Sequence, residues 1–206
     1  PKKFGTLTAD HFYGKDKNKT GGVTGDGDGL VVYDLGTDFG FVYPVKTGGA
    51  AYAADGLTHF IGKDQTSSIY TDKSPSLIKA VKRVGKKAIP HEKSVPGAPA
   101  TNGVAEAMVK RTIRGVRVNL EQAGLPRVYW PKAGEHHWMA RNLEDGADGT
   151  SPWEKRKGEP FTGLEIPFGA LVDYIPSPIS KNPTEKLDQN TLPGVFLGYV
   201  LQPGHK

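Results

Sequence analysis

The chain contains no cysteine, and that one absence removes disulfides, zinc knuckles and thiol chemistry together. No apolar run approaches the roughly 20 residues needed to cross a bilayer, so no membrane partner is expected. The first residues, Pro-Lys-Lys-Phe, include neither an initiator Met nor a signal-peptide hydrophobic stretch, and the chain is expected to be a piece of something longer. Internal repeats and low-complexity tracts are missing as well. What is plentiful is glycine, 27 of 206 residues, with 16 prolines, a composition that implies many turns. Hydrophobic residues still make up 36%, enough for a core, and the length fits one medium domain plus an appendage.

The formal charge is +5 and unevenly spread. From Asp72 to Arg117 there are 11 Lys and Arg against Asp72, Glu92 and Glu106. A basic concentration of this kind suits a polyanion, because each phosphate neutralised releases counterions, although a solvated basic face has the same composition.

Along the chain, Phe4 to Phe12 reads as a strand with Asp10 near its end, and Gly14 to Gly29 as a polar, mobile loop. Leu30 to Tyr33 and Phe39 to Val45 form a hairpin around Asp34 to Asp38. Ala50 to Ile61 suits a helix burying Tyr52, Leu57, Phe60 and Ile61. A strand at Ser67 to Thr71 and a helix from Ser74-Pro75 to Val84 follow, the proline at an N1-like position. A brief strand is expected at Lys87 to Pro90, a loop at Val95 to Thr101, and helices at Asn102 to Ala123 and Trp130 to Leu143. Beyond Thr150, short strands are expected at Ala170 to Ile175 and Val195 to Val200. This order predicts an α/β fold, a mixed sheet sandwiched by helices, of which a ribonuclease-H-like layer is one form. Residues 1–149 are expected to be the core and 150–206 a β-rich extension.

Three acids fall where strands end or helices begin: Asp10, Asp72 and Glu106. Carboxylates gathered at such an edge can hold hard divalent cations, and two Mg²⁺ about 4 Å apart can clamp both oxygens of an in-line phosphoryl displacement. Three acids alone would be weak grounds, because each could simply cap a helix or face solvent.

The surrounding residues are more specific. Thr8-Ala-Asp10-His, Ile69-Tyr-Thr-Asp72 and Thr101-Asn-Gly-Val-Ala-Glu106 resemble the three signature blocks of retroviral and retrotransposon integrases, Copia-like ones above all. The last two acids lie 34 positions apart, a separation similar to the family's. The likeness extends through Leu125-Pro126, Trp130-Pro131, Arg141-Asn142, Thr150 to Arg156, Gly158 to Phe161, Ile166 to Ala170 and Leu192 to Tyr199. It implies a ribonuclease-H-like mixed five-stranded sheet flanked by helices. It also implies a Mg²⁺ or Mn²⁺ pair on Asp10, Asp72 and Glu106, 3′-end processing and strand transfer. The implied partners are element ends, a target duplex and further copies of the chain, and the implied location is the nucleus if the host is eukaryotic. In family members Asn usually follows the second aspartate, where this chain has Lys73, a candidate DNA contact beside Asn102. Copia-like members commonly carry arginines where Ala98 and Ala107 stand. These departures leave room for a weakened or domesticated DNA-binding or assembly module, and the same triad would also serve a plain nuclease.

One test owes nothing to the family. On a helix at about 100° per residue, with Glu106 at zero, Ala105, Val109, Val116, Leu120 and Ala123 form one stripe, predicted to be buried. Lys110, Arg114 and Arg117 fall at about 40°, 80° and 20°, a basic ridge that could carry DNA phosphates. The competing reading is an ordinary amphipathic helix with a Glu106–Lys110 pair. Gly115 inside the helix costs about 1 kcal/mol against Ala, with no function apparent.

Other signals are set aside. Asp26-Gly-Asp28-Gly lacks the glycine an EF-hand needs at its sixth position, where Val31 stands, and reads as a flexible acidic turn. Gly21-Gly22 follows Lys19-Thr20, the wrong order for a phosphate loop. His136 and His137 are adjacent and point apart, so they cannot form an i,i+4 zinc pair. His11 faces away from Asp10 if the strand continues.

Overall fold

The structure is a computed structural model describing residues 3–84, 89–93, 103–177, 187 and 189–205. Strands β1 (Thr6–Tyr13), β2 (Asp28–Asp34) and β3 (Gly40–Val45) form an antiparallel meander. Strands β4 (Ser68–Thr71) and β5 (His91–Lys93) add to the other edge in parallel, giving the order β3-β2-β1-β4-β5. The mixed five-stranded sheet is the expected one. Helices α1 (Ala50–Ile61) and α2 (Pro75–Val84) pack on each other, as do α3 (Gly103–Ala123) and α4 (Trp130–Leu143).

The alternation of β3 separates the layers. Phe41 and Tyr43 lie on the α1 side, where a Cβ on Gly56 would touch Tyr43. Gly40 and Val42 lie on the α4 side, against Trp138 and Gly134. Successive side chains of a strand point to opposite faces, so the two helix pairs cover both sides of the sheet. Every residue of β2 is buried, as a strand sandwiched between two helix layers requires.

The hairpin turn is organised by Asp34, fully buried, whose carboxylate accepts from Gly5 N at 2.8 Å and from both Thr37 N and Thr37 Oγ1 at 2.7 Å. In the Gly14 to Gly29 excursion Gly14 N donates to Gly27 O at 2.8 Å, and Val23 N donates out of it to Val128 O at 2.6 Å. Asp28 is no part of a flexible acidic turn. It begins β2, buried, and accepts from Gly48 N at 2.7 Å.

Several expectations shift. Tyr52 is 39% exposed, because it lies about 140° around α1 from Leu57, while Ala53, Ala54 and Gly56 join the buried face. The brief strand expected at Lys87 to Pro90 occurs as His91–Lys93; Pro90 has no N–H for the ladder, and its carbonyl accepts from Ile69 N at 2.9 Å. In α3 the buried residues are Ala105, Met108, Thr112, Gly115 and Val116, whereas Val109, Leu120 and Ala123 are only half-buried. A threonine and a glycine at the tight contact with α4 carry no apolar signal, so the stripe is rotated from the expected one. Thr112 Oγ1 accepts from Trp138 Nε1 at 2.8 Å and donates to Met108 O at 2.8 Å.

Beyond residue 150 lies a helix that the sequence reading missed, α5 (Pro152–Lys157), then a small antiparallel sheet of β6 (Leu171–Tyr174) and β7 (Leu192–Val195). The signals for α5 were present. Ser151 caps the helix by accepting from Glu154 N at 3.1 Å, Pro152 opens it, and Gly158 closes it in the left-handed conformation. Its Arg156 is fully buried, 4.1 Å from the Phe4 ring centroid and 4.6 Å from that of Phe39, and it pairs with Asp64 at 2.8 Å. The end of the chain returns to the sheet. His205, fully buried, donates from Nε2 to Tyr43 Oη at 2.9 Å, Tyr43 donates to His59 Nδ1 at 3.1 Å, and His59 Nε2 donates to Leu201 O at 3.1 Å.

Candidate active site and basic helix face

The register places two of the three acids side by side. Ala9 of β1 pairs with Thr71 of β4 in a parallel ladder, so Asp10 and Asp72 are the next residues along neighbouring strands. Asp10 shares its face of β1 with Phe12, whose ring meets Trp130 at the start of α4, so its side chain is on the α3–α4 side. Asp10 Oδ1 accepts from His11 N at 2.8 Å, and Asp72 Oδ1 accepts from Ser74 N at 2.9 Å. The second bond is an Asx turn that leads into α2.

Glu106 is an exposed residue in the first turn of α3, the helix that packs on β1 and β2. The end of the β1–β4 ladder, in the middle of the sheet, therefore gathers Asp10 and Asp72, and α3 packs on β1. Among the described residues no group of three or more His, Asp or Glu side chains is assembled for a metal ion. Glu106 sits only three residues into α3, and the loop leading to it (Val95 to Thr101, with Ala98) and Asn102 lie outside the described residues. As a donor set, two aspartates side by side at the end of the β1–β4 ladder fit a hard divalent cation, which takes oxygen ligands.

The strand continues past Asp10 to Tyr13, so His11 faces the other way, towards Gly48. Burial pushes its imidazole below the usual histidine range, against the opposing pull of Asp28 and Asp72.

The basic residues on α3 take the expected positions. Lys110, Arg114 and Arg117 are exposed, and Arg111 adds a further exposed cation that the sequence reading did not single out. No ion pair between the described residues Glu106 and Lys110 forms, so the amphipathic-helix reading loses its pair. Lys73, beside Asp72, is exposed, while Ala107 offers no charge at an exposed position next to Glu106. Two shallow cavities flank the ridge. One of 510 Å³ is bordered by Lys110, Arg111 and Arg114, and one of 340 Å³ by Arg117 and Arg127. Arg127 was also missed. It stands in a single 3₁₀ turn, Arg127–Tyr129, and only the fold brings it to the segment just past β1, where it donates to Lys15 O at 3.0 Å.

His136 and His137 hold packing positions, as their adjacency suggested. His136 Nε2 donates to Ile166 O at 2.8 Å, and its ring meets Phe168 and Phe196, tying the segment beyond residue 160 to α4. His137 lies against Gly115.

No family model matches the chain. Over 114 residues, 54% of its length, it is 32% identical to the retrovirus-related Pol polyprotein from transposon TNT 1-94 of Nicotiana tabacum, and it spans 8% of that relative. Its fold is similar to the HTLV-2 integrase catalytic core domain, solved in complex with magnesium in a trimeric form. The TM-score is 0.57 at 14% identity, covering 74% of this chain and 95% of the other. At that identity the likeness establishes the fold, a ribonuclease-H-like mixed sheet with flanking helices.

Proposed function

We propose that this chain, whose sequence likeness and fold together support the core of a retrotransposon-type integrase, is a polynucleotidyl transferase that processes element DNA ends and joins them to a target duplex. The observation that carries the reading is the register that sets Asp10 beside Asp72 at the end of the β1–β4 ladder, with Glu106 in the first turn of α3. Asp10, Asp72 and Glu106 would hold divalent metal, Mg²⁺ or Mn²⁺. A pair of such ions supplies Lewis-acid activation of the phosphodiester and of the attacking oxygen.

The chain's own residues position the reactants. Lys110, Arg114 and Arg117, with Lys73 and Asn102, take the DNA phosphates and align the scissile bond with the acids. In end processing, water attacks a phosphodiester near the element end and a 3′-hydroxyl leaves. In joining, that 3′-hydroxyl attacks a target phosphodiester, forms the new bond and releases a target 3′-hydroxyl. Acting on paired ends calls for more than one copy, so a homo-oligomer belongs to the proposal. Residues 150–206 serve as an extension fastened to the core through His136, Arg156 and His205. In a eukaryotic host the reaction takes place in the nucleus.

A second reading, a DNA-binding or assembly module that no longer cuts, is favoured by Ala107 and by the exposed position of Glu106 outside any assembled three-acid cluster among the described residues. A strand-transfer assay with Mg²⁺ or Mn²⁺ on an oligonucleotide duplex separates the two, with Glu106→Gln as control. Joined products that vanish in Glu106→Gln support the transferase. Cleavage without joining identifies a nuclease. Equal DNA binding by both proteins with neither product selects the module.

A further inference from the structure

Where β1 runs out past Asp10, a cavity of 340 Å³ opens between the strand end and the middle of α3. Its walls are Phe12, Tyr13, Trp130 and Leu120, and its rim holds Arg117 and Arg127. The volume is at the lower end of the roughly 300–1,000 Å³ usual for small-ligand sites. The wall is rigid. Phe12 stands edge-on to Trp130, with centroids 5.6 Å apart at 68°, and a Cβ on Gly14 would lie 2.4 Å from the same indole. At the mouth, Tyr13 is 90% exposed, an aromatic face left in water beside an apolar hollow. Arg127 is held in place by donating to Gly14 O at 3.4 Å and Lys15 O at 3.0 Å, whereas Arg117 is exposed on α3.

This combination discriminates between ligands. A purely apolar ligand would leave the Arg117 guanidinium and the remaining donors of Arg127 unanswered, and a bare phosphate would leave the aromatic wall empty. A nucleotide answers both, because every base has a stackable face and every link carries an anion. The position is also informative. Phe12 is two residues beyond Asp10 on the same face, about 7 Å along the strand. A stacked DNA strand advances about 3.4 Å per nucleotide, so the cavity lies a nucleotide or two from a phosphodiester placed at Asp10.

We infer that this cavity receives the base of one unpaired nucleotide, stacked against the Phe12–Trp130 wall with Tyr13 bordering the mouth, and with its flanking phosphates on Arg117 and Arg127. The inference rests on the transferase or DNA-binding reading above and adds to it a pocket that selects single-stranded character in the DNA. The base must leave its stack to enter, which is least costly where it is already unpaired.

The test measures fluorescence anisotropy of the full chain with three labelled probes: a blunt duplex, the same duplex with a short single-stranded tail, and that tail made abasic. The wild type should bind the tailed probe about tenfold more tightly than the abasic one, the weight of a single base–aromatic stack. Tyr13→Ala, and Leu120→Trp, which fills the cavity, should bring the two affinities together. The ratio is internal to each protein, and Tyr13→Ala at its exposed position carries the test if Leu120→Trp fails to fold. Equal wild-type affinity for tailed and abasic probes overturns the pocket, while blunt-duplex binding leaves the DNA-binding reading standing. Failure to bind any of the three at low salt overturns both. A tail preference that survives Tyr13→Ala and Leu120→Trp also overturns the assignment.

Discussion

Gly115 of α3 and His137 of α4 meet so closely that a Cβ on the glycine would lie 2.2 Å from His137 Nδ1. The helices cross there with no room for a methyl group, which accounts for a glycine that looks wasteful in a helix interior. Gly115→Ala would gain about 1 kcal/mol of helix propensity and still be destabilising, because overpacking a tight contact costs typically 1–3 kcal/mol. Urea denaturation should show a lower midpoint with an unchanged slope. A midpoint that rises would mean the ring moves aside freely.

The same histidine and His205 make stability depend on pH. Burial, with Arg141 and Arg111 nearby, pushes His137 down to about 4 from 6.5, and burial beside Arg156 pushes His205 down to about 2. A folded pKa below the unfolded value means that the unfolded chain binds protons first. Stability is therefore fully present above about pH 6.5 and is lost as pH falls, through pH 4 for His137 and further for His205. The slope should approach about 1.4 kcal/mol per pH unit for each histidine. His137→Leu should flatten the profile between pH 6.5 and 4, measured by thermal unfolding across that range.

Asn142 acts as a substitute strand at the sheet edge. Its side chain donates to Gly40 O at 2.8 Å and accepts from Gly40 N at 3.0 Å, in a fully buried setting. Asn142→Leu strands both backbone groups and should cost about 2–6 kcal/mol, given roughly 1–3 kcal/mol for each buried unpaired group. Protease protection of β3 should fall with it; unchanged stability would imply that water takes over both bonds.

The basic face of α3 should reveal itself through salt. Each of Lys110→Gln, Arg114→Gln and Arg117→Gln removes one phosphate contact and should lower the slope of log affinity against log salt by about 1 on duplex DNA. Fluorescence anisotropy over a salt series reads this directly. Unchanged slopes in all three would assign the face to solvent.

Arg156→Lys keeps the charge but loses the planar contact with Phe4 and Phe39 and the doubled donation to Asp64. A compact ammonium cannot reproduce either, so a loss of about 2–4 kcal/mol is expected in chemical denaturation. A near-neutral result would show that an ammonium can take the place of the guanidinium there.

Much of this was legible in the residues. Ala50–Ile61 and Trp130–Leu143 match their expected spans because apolar periodicity and flanking Gly or Pro mark helix ends locally. The same holds for the hairpin around Asp34. The three acids were picked out by neighbouring residues, since carboxylates alone are too common to identify. Helix α5 was missed although Ser151, Pro152 and Gly158 announce it, because a six-residue helix has too few positions to show a period.

What the sequence determined by itself is whatever depends on near neighbours: which segments are strands and helices, where the charge lies, and the likeness that suggests the chemistry. What only the tertiary structure decided is what depends on distant pairs. The β1–β4 register sets Asp10 next to Asp72, the Gly115 contact selects which face of α3 is buried, and Arg127 reaches Lys15 across 112 positions. Such partners are chosen by packing and hydrogen-bond satisfaction in three dimensions, and neither leaves a periodic trace along the chain.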